Sequence, residues 1–413
     1  MIDFQNFVLD NGLKVYVHQD ITLPTATVNL LYNVGSRDED ENKTGFAHLF
    51  EHLMFGGSVN IPSYDEPLQL VGGENNAFTS PDITNYYISL PSDNLETAFW
   101  LESDRMLSLS FDPKVLEVQR KVVIEEYKQQ YLNQPYGDAY MKLKALAYKV
   151  HPYRWPTIGR DIKHIEDASM DDVKSFFHKF YVPNNAILVV SGNVVFDDVR
   201  RLAEKWFGPI PSGEQYLRNL PQEPVQKESR VEHVEADVPL DAIYKAFHIP
   251  ERLHDDYYTA DLLSDVLGRG KSSRLHQELV NKRRLFSNIS AYISGSMDPG
   301  TLNIHGKLNK GVKMEEAEAG IQEVIRSVIE EPLEEEELEK VKNQAESTIV
   351  FSEMELLNRS MNLAYAAMLG NPDLINEESR LIQKVEAEGI RKLAANRLVA
   401  SNESTLYYHS RTK

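Results

Sequence analysis

Residues 208–228, GPIPSGEQYLRNLPQEPVQKE, hold four prolines, two glycines and many polar groups almost at the midpoint of the chain. Proline lacks the backbone N–H and fixes φ, so neither a helix nor a central strand runs through such a stretch. The chain therefore divides into residues 1–210, a linker at 211–228, and residues 229–413. The two parts share a pattern. TVNLLYNVGSRDEDENKTGFAHLFEHLMFGG, in the first, can be laid beside DAIYKAFHIPERLHDDYYTADLLSDVLGRGK, in the second. In both, a strand leads through a polar loop to a helix that ends in glycines, as in an internal repeat. A chain of 413 residues is long enough to bury a core in each part.

Hydrophobic periodicity gives an α+β reading. Residues 6–18 read as two strands around an Asn-Gly turn, and 26–34 as a strand. A helix follows at 44–56, a strand at 84–90, and helices at 93–108 and 113–132. Residues 186–192, AILVVSG, read as a buried strand, and a helix at 197–207 stops at Phe207-Gly208-Pro209. The acidic run 329–340, IEEPLEEEELEK, reads as a solvated helix start.

Several function classes are disfavoured at once. The net charge of −19 repels phosphate backbones, so nucleic acid is not expected as a partner. There is no cysteine, which removes disulfides, Cys-ligated metal and a Cys nucleophile. No apolar run is long enough to span a bilayer, so no membrane partner is expected. MIDFQNFVLDNGLKVYV lacks a basic and an apolar leader region, so the expected compartment is the cytoplasm. A periplasmic protein trimmed of its leader reads the same way.

Any metal must then be held by histidine and carboxylate, and one segment offers them. His48-Leu49-Phe50-Glu51-His52 is an H-x-x-E-H run. Residues four apart on a helix lie on one face, about 40° apart around the axis, so both imidazoles can reach one cation. Glu51 sits on the flank of that face, placed to take a proton from water at the metal without being a ligand. The alternative is a surface helix with two satisfied histidines. Phe46, Leu49, Phe50, Leu53, Met54 and Phe55 argue against it, because a helix this apolar is buried and a buried Glu flanked by two His needs a partner. Two histidines leave a catalytic zinc short of one protein ligand. Helix 113–132 offers Glu117, Glu125 and Glu126, with Val115, Val118 and Val122 expected to set its inward face. Glu126 lies one turn after Val122 and Glu125 on the other side of that stripe, and periodicity alone does not choose between them.

HLFEH followed by RKVVIEE resembles the inverted-zincin peptidases of the pitrilysin, insulin-degrading and mitochondrial-processing type. GGENNAFTSPDITNYYISLP, HPYRWPTIGR, FYVPNNAILVVSGNV and GRGKSSRLHQELVNKRRLFSNISAY are similar to further family segments. Two halves in a short chain resemble the processing-peptidase-like branch. The resemblance implies two homologous α/β-sandwich halves, each a largely antiparallel sheet with helices packed on it, together forming half of a clamshell. It implies Zn2+ on His48, His52 and Glu126, with Glu51 as the catalytic base. Asn76, Ala77 and Phe78 fall on the edge strand expected to pair with a peptide substrate. Gln119 stands where the family has a supporting Glu, which puts the tuning of the site in doubt. Val280 and Ser287 stand where an Arg and a Tyr help hold substrate, and Arg283 or Arg284 are the nearest replacements.

The expected activity is therefore zinc-dependent endopeptidase cleavage of unfolded peptides. A dimer is expected, and a homologous second chain with a decayed zinc motif would supply the missing pair. The rival readings are a non-catalytic or structural subunit of the same fold, and a metal-binding protein without hydrolysis. All four of His48, Glu51, His52 and Glu126 being present counts against the first of these.

Overall fold

A computed structural model describes residues 1–411. Eleven named strands fall into two sheets: β1 (Gln5–Val8), β2 (Lys14–Gln19), β3 (Thr25–Tyr32), β4 (Glu74–Thr79), β5 (Thr84–Pro91) and β6 (Ala186–Gly192) in the first, and β7 (Arg230–Ala236), β8 (Ala242–His248), β9 (Phe286–Ile293), β10 (Thr301–Leu308) and β11 (Glu403–Ser410) in the second. The strand orders are β1-β2-β6-β3-β5-β4 and β7-β11-β8-β10-β9. The β2–β6 and β7–β11 pairs are parallel, and all other pairs are antiparallel. Remove β1, and the second sheet repeats the first strand for strand. The largely antiparallel, twofold design expected from the sequence is the one observed.

The paired copies differ in one place. β1 lies antiparallel to β2 through a tight turn at Asn11-Gly12, where Gly12 has φ 88° and a Cβ would come within 2.8 Å of Asn184 Cβ. Asn11 Nδ2 donates to the carbonyls of Phe207 and Ile210, which ties this hairpin to the end of helix Phe196–Trp206.

Both faces of the central strands are buried. β6 is buried along its whole length and β3 from Ala26 to Tyr32, so each face needs a cover. The covering helices come from unexpected places. The chain forms one compact unit from Met1–Tyr127, Trp155–Leu220 and Val350–Glu377, and another from Lys128–Arg154, Pro221–Ile349 and Glu378–Lys413. In the first unit, helix Leu356–Met368 lies against β3 and β6; in the second, helix Ala139–Ala147 lies against β8 and β11. Each sheet is thus covered in part by sequence from beyond the proline-rich stretch. Periodicity tells that a helix has an apolar face, but not which sheet receives it.

Helix 113–132 departs from expectation. It is α-helical over Pro113–Tyr127 and continues as a π-turn at Lys128–Leu132. Its buried stripe is Leu116, Val123 and Tyr127, whereas Val118 is 56% and Val122 39% exposed. Buried positions seven and four apart form one narrow line on the helix, and the Val118/Val122 line falls outside it. The expected inward face is therefore wrong for those two valines. The acidic run ends helix Met314–Glu330 and opens helix Glu335–Ser352, with Glu335, Glu336 and Glu337 in the first turn, where carboxylates favour the helix dipole. Among the described residues, no helix is long and apolar enough to cross a membrane.

Candidate metal centre

The helix that carries the H-x-x-E-H run, α1, spans Phe46–Leu53, shorter at both ends than periodicity suggests. Its start is fixed by Gly45, at φ 91°, where a Cβ would lie 2.5 Å from the Ile158 carbonyl oxygen. Across that contact Gly159, at φ 103°, would bring its own Cβ to 2.9 Å from the Thr44 carbonyl oxygen. Two backbones cross here with no room for side chains. The Arg160 amide donates to Thr44 Oγ1 at 2.9 Å, closing the crossing.

The first amides of α1 are met by a carboxylate. Gly45 N and Ala47 N donate to Glu39 Oε2 and Oε1 at 2.9 and 2.8 Å. Glu39 is buried, and burial holds its carboxyl well above the usual range even though these amides draw it down. This cap was missed from sequence. The loop SRDEDEN carries four adjacent acidic residues, and nothing in their spacing marks the second one.

Phe46, Ala47, Leu49, Phe50 and Leu53 are buried, and His48, Glu51 and His52 form the half-exposed face. The rings of His48 and His52 lie 4.9 Å apart, at 80° to each other. Glu126, from helix Pro113–Tyr127, brings Oε2 to 3.6 Å from His48 Nε2 and 3.4 Å from His52 Nε2. One donor atom from each of the three lies within 4.8 Å of the others, the one such group among the described residues. Donors about 2.0–2.1 Å from a tetrahedral ion stand about 3.3–3.4 Å apart, close to the 3.4 and 3.6 Å between the Glu126 oxygen and the two imidazole nitrogens. Glu125 stands exposed, and Glu126 is the carboxylate that lies beside the two histidines. Burial, and then the neighbouring His52, push His48 down to about 4, which leaves its imidazole neutral and available as a donor near neutral pH.

Glu51 makes no part of that trio. Burial raises its carboxyl, and hydrogen bonds from Thr79 partly offset the rise. Thr79 ends β4, which lies at the edge of the first sheet beside β5. Along β4, Asn76 and Phe78 are exposed and Ala77 is half-buried. Candidate base and candidate docking strand thus meet at one residue, which the sequence reading did not single out. Gln119 is half-buried on the helix of Glu126, seven residues earlier and so on nearly the same face.

In the second unit, Val280 packs against the hydrophobic core, and Ser287 Oγ donates to the Lys307 carbonyl at 3.1 Å. Arg283 is paired with Glu323. Arg284 adopts φ 54°, and its carbonyl accepts from Asn309 Nδ2. These positions carry structural contacts.

Residues 14–161 match the insulinase, or M16, peptidase family, and residues 167–345 match the M16 peptidase inactive domain. The zinc protease PqqE of Helicobacter pylori is 33% identical over 344 residues, covering 82% of this chain and 77% of that one. The crystal structure of a protease from Helicobacter pylori superposes with a TM-score of 0.94 at 28% identity, over 99% of this chain and 100% of that one. The periplasmic protease PqqL of Escherichia coli shares the fold with a TM-score of 0.81 at 17% identity, over 100% of this chain but 48% of that one. With its paired sheets and its His48–His52–Glu126 group, the chain belongs to the M16 family of insulinase-like peptidases.

Proposed function

We propose that this chain is a zinc endopeptidase for unstructured peptides. One observation carries the reading: the donor atoms of His48, His52 and Glu126 lie within 4.8 Å of one another, with Glu51 on the same helix face and outside that group. His48 Nε2, His52 Nε2 and a Glu126 oxygen would hold Zn2+. Bound zinc supplies Lewis acidity toward a peptide carbonyl and makes a water more acidic. Glu51 takes the proton from the attacking water at its carboxylate and delivers it to the departing amine. Thr79 holds that carboxylate, and the edge of β4 at Asn76, Ala77 and Phe78 orients an extended peptide by backbone pairing. An edge strand recognises backbone rather than side chains, so unfolded segments are favoured as substrate. The named zinc protease PqqE supports both metal and activity.

A second copy of the fold is proposed to complete the enzyme. Val280 and Ser287 do not supply the expected Arg and Tyr, and the fold fills about half of the PqqL chain. The partner is a second copy of this chain or a homologue without the zinc motif. A non-catalytic role is the second reading, favoured by Gln119 and by the inactive-domain match over 167–345.

The Glu51→Gln variant tests the assignment. It should retain stoichiometric zinc and lose about 10²–10⁴-fold in turnover of a quenched fluorescent peptide. Turnover equal to the unmodified chain would remove Glu51 as the base. No turnover by the unmodified chain, with or without its partner, would favour the second reading.

A further inference from the structure

Helix Leu95–Ser108 carries four consecutive polar residues, Glu102, Ser103, Asp104 and Arg105, and all four are buried. Four successive residues face nearly all sides of a helix, so this turn is enclosed by the fold. Charged side chains stay buried only when they are paired. The Arg105 guanidinium donates to the Glu102 carboxylate from Nε at 2.9 Å and from Nη2 at 2.6 Å, and the Tyr64 hydroxyl donates to the same carboxylate at 2.7 Å. The guanidinium also lies 4.4 Å from the centre of the Tyr86 ring, 4.6 Å from that of Tyr64 and 5.3 Å from that of Phe55. A desolvated cation among aromatic faces is held by their quadrupoles. Asp104 accepts from Ser58 Oγ and, at 2.7 Å, from Asn60 Nδ2. Each charge in this turn therefore reaches the segment 55–64, which leaves α1.

One contact runs from this cluster into α1 itself. The Tyr86 hydroxyl donates to the Phe50 carbonyl at 3.2 Å. That carbonyl already accepts the helical bond from the Met54 amide at 3.0 Å, so α1 can form without the second donor. The carbonyl belongs to the rigid peptide plane that joins Phe50 to Glu51, so a donor on it fixes where Glu51 begins. Tyr86 is also the register partner of Ala77 on β4. The geometry points to Tyr86 as a positioning residue for Glu51, braced by the buried Arg105–Glu102 pair, an inference that rests on the peptidase reading of Glu51. α1 has eight residues, too few to hold a helix in place unaided. A reacting group misplaced by about 1 Å loses about 10²-fold in rate. The brace ties the peptide plane of the base to β5, and so to the strand proposed to orient substrate.

Tyr86→Phe keeps the ring beside Arg105 and removes only the donor. In the zinc-loaded full chain it should lower kcat toward a quenched fluorescent peptide by about fivefold or more, with KM and zinc content unchanged. Arg105→Lys keeps the charge but loses the planar fork, and should lower kcat further. In the Glu51→Gln background Tyr86→Phe should add no further loss, because Tyr86 acts through that carboxylate; a role in packing alone would be additive. Hydrogen exchange of the Met54 amide should be about fivefold faster in Tyr86→Phe. The proposal is overturned if Tyr86→Phe keeps the kcat of the unmodified chain, if its loss is equal in the Glu51→Gln background, or if that exchange is unchanged. The exchange is read even in a chain that hydrolyses nothing, so it separates failure of the brace from failure of the peptidase reading.

Discussion

The two copies of the strand-loop-helix pattern differ most in their helices. α1 leaves His48, Glu51 and His52 on an open face, whereas helix Tyr257–Gly268 is buried at every position except Asp261. The reason is how each helix meets its neighbouring strand. Gly268 lies so close to β9 that a Cβ there would come within 1.9 Å of Ala291 N. α1 meets β4 through polar groups instead: Thr79 hydrogen-bonds the Glu51 carboxylate and donates from Oγ1 to the Ala47 carbonyl at 3.5 Å. The same sheet order therefore carries a polar contact between helix and strand in one copy and a close-packed apolar one in the other.

Stripping the metal should have the largest effect. Chelation, or His52→Ala, is expected to abolish peptide hydrolysis, with zinc returning activity to the unmodified chain and not to the variant. Residual activity in a chelated, zinc-free sample would break the contrast between the two helices. Next come the glycines that set each helix in place. Gly45→Ala puts a side chain at positive φ and against the Ile158 carbonyl, and should cost about 2–4 kcal/mol of stability together with zinc affinity. Gly268→Ala should lower the thermal midpoint comparably yet leave zinc affinity unchanged; loss of zinc in both variants would mean that the helices are not independent.

A smaller effect concerns Asp265, on the packed helix. Burial and the nearby Asp261 push its carboxyl up to about 6, opposed by Arg269 at 3.0 Å. The folded chain then holds this proton more tightly than the unfolded chain, whose carboxyl titrates near the ordinary 3.8. The resulting stability is fully present below about pH 4 and is lost as pH rises through about 6. Asp265→Asn should raise the thermal midpoint at pH 7 and leave it unchanged at pH 4. A difference independent of pH would contradict this sign. The smallest effect is expected on the exposed line of helix Pro113–Tyr127, where Val118→Ser with Val122→Ser should change stability by no more than about 0.5 kcal/mol.

The legible parts of the molecule were those written in local spacing. Two histidines four apart, a proline-rich stretch that holds no helix or strand over 211–227, and a strand such as AILVVSG each declare themselves within a few residues. Glu126 did not, because its choice over Glu125 depends on the rotation of a helix whose buried line is Leu116, Val123 and Tyr127 rather than the valines beside it. The exchange of helices Ala139–Ala147 and Leu356–Met368 was silent for a similar reason: an apolar face does not carry the address of its sheet. Glu39 and Thr79 were silent because a cap and a hydrogen bond depend on where a loop and a strand end in space.

Zinc-edge anomalous scattering from crystals of the zinc-loaded chain is the direct measurement of the central claim. A peak is expected bounded by His48 Nε2, His52 Nε2 and a Glu126 carboxylate oxygen, with Glu51 close by but outside bonding distance. Zinc bonded to Glu51 or Glu125 instead of Glu126, or no peak between the two imidazoles, would contradict it.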